Sequence, residues 1–169
     1  MDVFLEKIIR KKRTTKDYLI VATVIYIALG VNFIAIMVPL LRGFTLLMSG
    51  ICIYFVVRRT YIEYEYTLTN NELDIDIIVA KKDRKRLFTA NCKDFEMFGR
   101  IEHSKYNEVK TIEKKILAIV SKDSKNIYFA VLQFEGARTL LLFQPDERMV
   151  EQIANCIPKK VLKDDKNFL

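Results

Sequence analysis

The feature that most constrains this chain is an apolar run from Tyr18 to Val57, in which Arg42 is the only charged residue. The hydrocarbon core of a bilayer is about 30 Å thick, and an α-helix needs about 20 apolar residues to cross it. The run is long enough for two crossings, and Pro39 and Gly43 near its middle favour a turn. We therefore predict transmembrane helices at residues 18–38 and 42–57, joined by a turn at residues 39–43.

Basic residues flank both ends of this run. Lys11, Lys12 and Arg13 come shortly before it, and Arg58 and Arg59 follow it directly. Cytoplasmic flanks of transmembrane helices carry an excess of Lys and Arg. We therefore expect a multi-pass protein of the cell membrane with both termini in the cytoplasm. The first apolar stretch exceeds the roughly 7–15 residues of a signal-peptide core, so we expect no cleaved signal.

The N-terminal segment, residues 1–17, is basic and carries Phe4, Leu5, Ile8 and Ile9 at spacings that share one face of a helix. Two interpretations stay open. The segment is either a helix lying in the membrane interface with its basic groups toward lipid phosphates, or a charged terminus too short to form a stable helix alone. In the first case its candidate lipid contacts are Arg10, Lys11, Lys12 and Arg13.

The spans contain few polar groups. Asn32 is the strongest of them, and Gly30 and Gly50 are small neighbours. An amide in hydrocarbon needs a hydrogen-bond partner, so we expect Asn32 to bond across the hairpin or to a second copy. Gly30, Asn32 and Gly50 form a candidate helix–helix interface. A transport pathway normally needs several ionisable groups inside the membrane, and here only Arg42, at the turn, is available.

Alternation of apolar and polar residues begins at Tyr61 and is typical of β-strands. Strands are predicted at residues 61–68, 72–79, 85–92, 95–101, 117–120, 127–134 and 139–143. Pro145 begins a stretch with an apolar stripe at helical spacing, and Pro158 ends it, which predicts a C-terminal helix. Residues 162–169 are read as a charged tail.

The predicted elements resemble those of a pleckstrin-homology-like (PH-like) domain, a seven-stranded antiparallel barrel or sandwich capped by a C-terminal helix. The fold class is thus a membrane α-hairpin plus an α+β domain, with a cytoplasmic PH-like domain at residues 60–161. The segment YEYTLTNNELDID (64–76) resembles the opening of bacterial PH-like domains. Residues 81–101 and 139–161, together with the N-terminal start, resemble small two-span membrane proteins of low-GC Gram-positive bacteria that carry this domain. The resemblance implies no particular activity.

A dense group of basic residues lies at the predicted tip between the second and third of these strands. It comprises Lys81, Lys82, Arg84, Lys85 and Arg86. Basic side chains near an anionic leaflet each gain about 1 kcal/mol. The alternative is a solvated turn, which is the usual role of a charge run.

Motifs for catalysis or metal binding are lacking. The sequence has no Walker loop, no G-x-S-x-G and no G-x-G-x-x-G. His103 has no ligand at metal-binding spacing, and the alternation around Asp74 and Asp76 predicts that both face water. The cysteines, Cys52, Cys92 and Cys156, are widely spaced and are expected to be reduced thiols. We expect no enzyme activity and no cofactor.

The net charge of +7 is concentrated beside the apolar run, which suits an anionic membrane better than nucleic acid. We therefore predict a membrane-tethered binding or scaffold module at the cytoplasmic face. Its partners would be the bilayer, anionic lipid headgroups, or an unknown membrane or cytoplasmic protein. The alternative is an accessory subunit of a membrane complex assembled through its transmembrane helices.

Overall fold

The computed structural model describes residues 3–121 and 123–162. These residues form two compact units. The helical unit covers Lys12–Ile62 and Ile78–Asp83. The described residues of the sheet unit lie within Met1–Lys11, Glu63–Ile77 and Arg84–Leu169. The predicted tail, apart from Leu162, falls on residues 163–169 and lies outside the described residues.

Two long apolar helices dominate the helical unit. Helix α1 (Thr15–Ile34) continues into a 3₁₀ turn (Ala35–Met37), and α2 (Pro39–Arg59) follows. Each is long and apolar enough to cross a membrane, since 21 residues rise about 31 Å. Neither helix has a buried residue, unlike a core helix of a soluble protein. Pro39 is the first residue of α2 and not part of the turn. A proline is favourable there because the backbone N–H that it lacks would have no hydrogen-bond partner in the first turn of a helix.

The first sheet has the strand order β1-β2-β3-β4. Its strands are β1 (Phe4–Arg10), β2 (Ile62–Thr69), β3 (Glu72–Val79) and β4 (Asp83–Asn91). Strand β1 corrects both interpretations of residues 1–17, the interfacial helix and the charged terminus without stable structure. It pairs antiparallel with β2, from Phe4 opposite Thr69 to Arg10 opposite Glu63. Both helices are therefore inserted, in sequence, between two neighbouring strands.

The second sheet has the order β5-β7-β8-β6. Its strands are β5 (Phe95–Arg100), β6 (Lys114–Ala118), β7 (Tyr128–Phe134) and β8 (Ala137–Phe143). The expectation of seven antiparallel strands in a barrel or sandwich is wrong in two respects. The described residues form eight strands in two open sheets, and β6 pairs parallel with β8. Strand β6 does not pair with β7, the next strand in the sequence. It pairs with β8, which is antiparallel to β7.

Two further elements complete the sheet unit. A short helix, α3 (Tyr106–Val109), lies between β5 and β6, and α4 (Glu147–Cys156) follows the last strand as expected. The stripe on α4 is buried through Met149, Val150 and Ile153. Beyond α4, the Leu162 amide donates to the Phe98 carbonyl at 2.8 Å.

One buried tyrosine joins the two sheets. The Tyr66 hydroxyl, on β2, donates to the Ala118 carbonyl at the end of β6 and accepts from the Gln144 amide after β8. Burial raises the pKa of Tyr66 above its ordinary value. The hydroxyl therefore stays protonated and able to donate.

Candidate functional site

The tip of the β3–β4 hairpin belongs to the helical unit. Ala80 and Lys81 both have positive φ angles, 56° and 58°, and the Lys82 amide donates to the Val79 carbonyl at 3.1 Å. Two successive positive φ angles define a type I′ turn. The Ala80 amide also donates to the Tyr61 carbonyl at 2.8 Å. The tip is thus attached just beyond the C-terminal end of α2.

Basic side chains gather at this end of the helical unit. The Arg13 guanidinium stacks over the Tyr61 ring, 4.5 Å from its centre, a favourable cation–π arrangement. Arg58 donates to the Tyr54 hydroxyl at 3.5 Å. We call the following group the basic collar: Lys12, Arg13, Arg58, Arg59, Lys81 and Lys82. It lies where a helix pair that crosses a membrane would meet lipid headgroups.

The other basic residues of the predicted tip lie in the sheet unit. Arg84 pairs with Glu65, and Arg86 pairs with Asp76 and, at 2.7 Å, with Asp74. Sequence spacing predicts that Asp76 faces water, but it is 8% exposed and Glu65 only 5%. The two arginines cover these carboxylates and neutralise them. They are therefore committed to holding β2, β3 and β4 together.

The pKa values of these groups shift for reasons that this arrangement explains. Burial raises the pKa of Glu65, and the nearby Arg84 charge opposes that rise. The hydrogen bond to Asp76 raises the pKa of Arg86. Both effects are expected where carboxylates are removed from water and paired with guanidinium groups.

The remaining predicted lipid contacts divide between the units. Lys12 and Arg13 belong to the helical unit, whereas Arg10 and Lys11 belong to the sheet unit. Lys85 is exposed on β4, and no carboxylate partner for it occurs among residues 3–121 and 123–162. Four of the nine predicted contacts thus belong to the helical unit and five to the sheet unit.

The two helices contact each other through a small polar group. The Asn32 amide donates to the Ser49 hydroxyl at 2.8 Å and to the Ala28 carbonyl, and its oxygen accepts from Thr45 at 3.3 Å. Asn32 was expected to bond either across the hairpin or to a second copy, and the structure shows the hydrogen bonds across the hairpin. Gly30 and Gly50 are different, because a Cβ at either position would meet nothing within 4 Å.

A polar cleft of about 440 Å³ lies in the sheet unit beside the first turn of α4. Lys7 of β1 donates to the carbonyls of Gln144 and Pro145 at 2.8 and 3.3 Å. Arg100 of β5 donates to the Tyr128 hydroxyl at 3.0 Å. Burial lowers the pKa of Lys7, and Asp146 opposes that shift.

Gln144 shapes the floor of the cleft. Its side chain accepts from the Val120 amide at 2.8 Å and donates to the Lys125 carbonyl at 3.0 Å. It thereby fixes the loop that carries Lys125. Neither interpretation of residues 1–17 includes a strand, so this cleft does not follow from the sequence. Leu5, Lys7 and Ile9 are half-buried in β1 and alternate with exposed residues, but the exposed residues include Phe4 and Ile8, so the sequence shows no alternation of apolar and polar types.

In the part of the chain that the structure describes, no group of three or more His, Cys, Asp or Glu side chains is arranged to hold a metal ion. His103 instead accepts a hydrogen bond from the Lys105 amide at 3.1 Å. All three cysteines are free thiols.

Comparison with known proteins gives one match. Residues 1–163 are similar to a family described as a bacterial PH-like domain (DUF6106). No curated protein and no solved structure matches the chain.

Proposed function

The chain belongs to the bacterial PH-like domain family, and from that premise we propose that it is a non-catalytic binding module tethered to the cytoplasmic face of the cell membrane by α1 and α2. Its origin in low-GC Gram-positive bacteria stays a prediction. The observation that carries the proposal is the basic collar, since Lys81 and Lys82 belong to the same compact unit as two exposed apolar helices.

Tethering is tested first, with the full chain. A protein that crosses the bilayer twice stays in the membrane pellet after alkaline carbonate extraction, because its apolar side chains leave lipid only at great cost. Release of the intact chain into the supernatant would contradict the proposal. A protease that cleaves the sheet unit from outside intact cells would contradict the cytoplasmic placement.

Anionic lipid is the contact that the collar fits best. Its basic side chains outnumber Asp17 and Asp83, the acidic residues of the helical unit, and Asp17 already accepts from the Thr14 amide at 2.7 Å. Clustered Lys and Arg beside a bilayer gain energy from anionic headgroups, and salt screens that gain.

The lipid contact is tested by amine labelling of the reconstituted chain. We expect Lys81 and Lys82 to be labelled more slowly in vesicles containing phosphatidylglycerol than in vesicles of phosphatidylcholine alone, and added salt should restore the rate. Lys115 and Lys159, exposed lysines of the sheet unit, serve as controls whose labelling stays unchanged. Equal labelling rates of Lys81 and Lys82 in both kinds of vesicle would show that the basic collar is a solvated surface without lipid contact.

A second candidate function, assembly into a membrane complex through the helices, is favoured by the open surface at Gly30 and Gly50. Small residues allow close approach of another helix in lipid. Gly50→Leu should then abolish co-purification of a partner from native membranes. Asn32→Leu should instead loosen the hairpin itself, because the amide is already bonded to Ser49. A monomer without partners, unchanged by Gly50→Leu, would exclude this function.

A further inference from the structure

The two open sheets have four edge strands, β1, β4, β5 and β6. An exposed edge is a template for pairing with another chain, and proteins block such edges with charge or with a covering segment. Strand β4 begins with a run of exposed charged residues, 83–86. Strand β5 is covered by the segment after α4, where Val161 bridges Phe98. Strand β6 is the shortest of the four and begins with two lysines.

Strand β1 is the edge that exposes several apolar side chains. Phe4 is 64% exposed and Ile8 54%, and both lie on the same face of the strand because side chains alternate between faces. Outside the two apolar helices and their link, one other large hydrophobic side chain is exposed in the described part of the chain, Leu117 of β6. The edge at β1 therefore lacks the protection that the other edges have.

The backbone of β1 offers hydrogen-bonding groups at this edge. The Val3 carbonyl accepts from the Asn70 amide at 2.8 Å, and alternate residues of an antiparallel strand bond to the same neighbour. Leu5, Lys7 and Ile9 therefore bond to β2. The N–H and C=O groups of the residues between them point away from β2, to a side on which the described residues place no strand.

We propose that β1 pairs antiparallel with β1 of a second copy, across a two-fold axis at Ile8. The two Ile8 side chains then lie opposite each other, and Glu6 of each copy lies opposite Arg10 of the other. The first sheets of the two copies become one continuous sheet. The contact lies in the sheet unit, so it goes beyond the membrane-tethered function and does not depend on it.

The charges on β1 select this register among those that pair most of the strand. A two-fold axis at Glu6 would place two carboxylates opposite each other, and an axis at Lys7 would do the same with two ammonium groups. Like charges directly opposite are destabilising, whereas opposite charges and apolar pairs stabilise a sheet. The axis at Ile8 has no like-charged pair and joins Glu6 to Arg10 twice.

The surroundings of Glu6 favour a cation from outside the chain. Glu6 forms no ion pair within residues 3–121 and 123–162. Burial raises the pKa of Glu65, and the neighbouring Glu6 carboxylate adds to that rise. Arg10 lies opposite Glu63 in its own chain, but a guanidinium can bond two carboxylates at once. The contact with Glu6 therefore does not require Arg10 to lose its own neighbours.

The dimer is measured on the full chain by sedimentation equilibrium in density-matched detergent. Ile8→Lys changes an exposed side chain, so the fold is retained, and it places two ammonium groups at the axis. We expect it to weaken the dimer on the order of tenfold or more. Leu117→Lys is the matched control, because Leu117 is exposed on a different edge. It should leave the dissociation constant unchanged.

Charge reversal tests the register. Glu6→Arg and Arg10→Glu should each weaken their own homodimer, because like charges then lie opposite each other. A mixture of the two variants should form a heterodimer that is tighter than either homodimer, since each contact again joins a carboxylate to a guanidinium. Energy transfer between differently labelled copies measures this preference, which a simple folding defect would not produce.

Hydrogen exchange identifies the paired groups. As the protein concentration rises and the dimer forms, the amides of Glu6, Ile8 and Arg10 should exchange more slowly. The amides of Lys7 and Ile9 already bond to β2, so their exchange should not change.

Three results would overturn the proposal. The first is a monomer at every protein concentration. The second is equal weakening of the dimer by Ile8→Lys and Leu117→Lys. The third is a dimer that Gly50→Leu abolishes and Ile8→Lys leaves unchanged, which would place the contact in the helices. None of these results bears on tethering, which carbonate extraction tests separately.

Discussion

Arginine and lysine have different roles in the basic stretch from Lys81 to Arg86. Arg84 and Arg86 lie on β4 and cover Glu65 and Asp76, whose side chains are almost wholly buried. A guanidinium can bond two carboxylates at once, whereas an ammonium is a compact and strongly hydrated charge. The arginines are therefore structural, and the lysines at the turn remain available to a surface.

Arg86→Gln should weaken the first sheet. The change leaves Asp76 buried without its charged partner, which is expected to cost about 1–3 kcal/mol. Hydrogen exchange of the β3 and β4 amides in detergent-solubilised protein measures this loss. Lys85→Gln, at the neighbouring exposed position, should change the opening free energy by less than about 0.5 kcal/mol. Equal effects of Arg86→Gln and Lys85→Gln on the opening free energy would contradict a structural role for Arg86.

Cys92 is a buried thiol at the end of the first sheet. Burial raises its pKa to about 12, and only the thiolate is a nucleophile. At pH 8 we therefore expect iodoacetamide to modify the half-buried Cys156 well before Cys92, as read by mass spectrometry of the folded chain. Faster modification of Cys92 would show that this region opens.

The raised pKa of Cys92 also makes the free energy of unfolding depend on pH. Because the folded state holds the Cys92 proton more tightly than the unfolded state, its contribution is intact below the unfolded pKa of about 8.5. It is lost as the pH rises from there toward about 12. Between pH 8 and pH 10, the thermal unfolding midpoint of Cys92→Ala should therefore decrease less than that of the wild type.

Among the elements, the β3–β4 hairpin stores backbone strain at its turn. Ala80 and Lys81 adopt the left-handed conformation, which for residues with a Cβ costs about 1–2 kcal/mol each. In the turn between β7 and β8, the corresponding positive φ angles belong to Glu135 and to Gly136, at 77°. Gly136 thus occupies the second position of its turn, which Lys81 occupies in the β3–β4 turn.

Reciprocal substitutions test this strain. Ala80→Gly should raise the unfolding midpoint, with a gain of about 0.5 kcal/mol after the added flexibility of the unfolded chain is subtracted. Gly136→Ala should lower stability by about 1 kcal/mol, because its φ of 77° disfavours a Cβ. Thermal unfolding in detergent measures both. A loss of stability in Ala80→Gly would show that the turn is not strained.

At the scale of the whole molecule, the helices are an insertion within a sheet. Strand β1 precedes α1, β2 follows α2, and the two strands pair along seven residue positions. The sheet unit is therefore completed only after both helices have been synthesised. A fragment that begins at residue 60 lacks β1 and exposes the edge of β2, and exposed edges promote aggregation.

This dependence predicts the behaviour of two shortened chains. The fragment 60–169 should aggregate. A chain in which Asn-Gly joins Arg10 directly to Glu63, which are paired in register, should fold into a soluble domain, because Asn-Gly favours a two-residue hairpin. Dispersed amide NMR spectra of the second chain and not of the first would support the pairing. A well-folded 60–169 fragment would show that β1 is dispensable.

The sequence by itself determined the features that depend on local pattern. The apolar helices follow from length and lack of charge, and α4 follows from its stripe between Pro145 and Pro158. The PH-like domain is expected from the resemblance of these elements and segments to a known family, and the family match confirms it. Gly30, Asn32 and Gly50 could be selected from the sequence, but only the structure separates the bonded amide from the open glycines.

Tertiary structure decided everything that depends on pairing between distant segments. The apolar residues of the segment FLEKIIR (Phe4–Arg10) fit one face of a helix, yet the segment is a strand because β2 offers it an edge across 51 intervening residues. The same reason explains the parallel strand β6, the carboxylates that hold Arg84 and Arg86, and the cleft around Lys7. Local periodicity records which side of an element is apolar, whereas the identity of the neighbour is set by long-range packing.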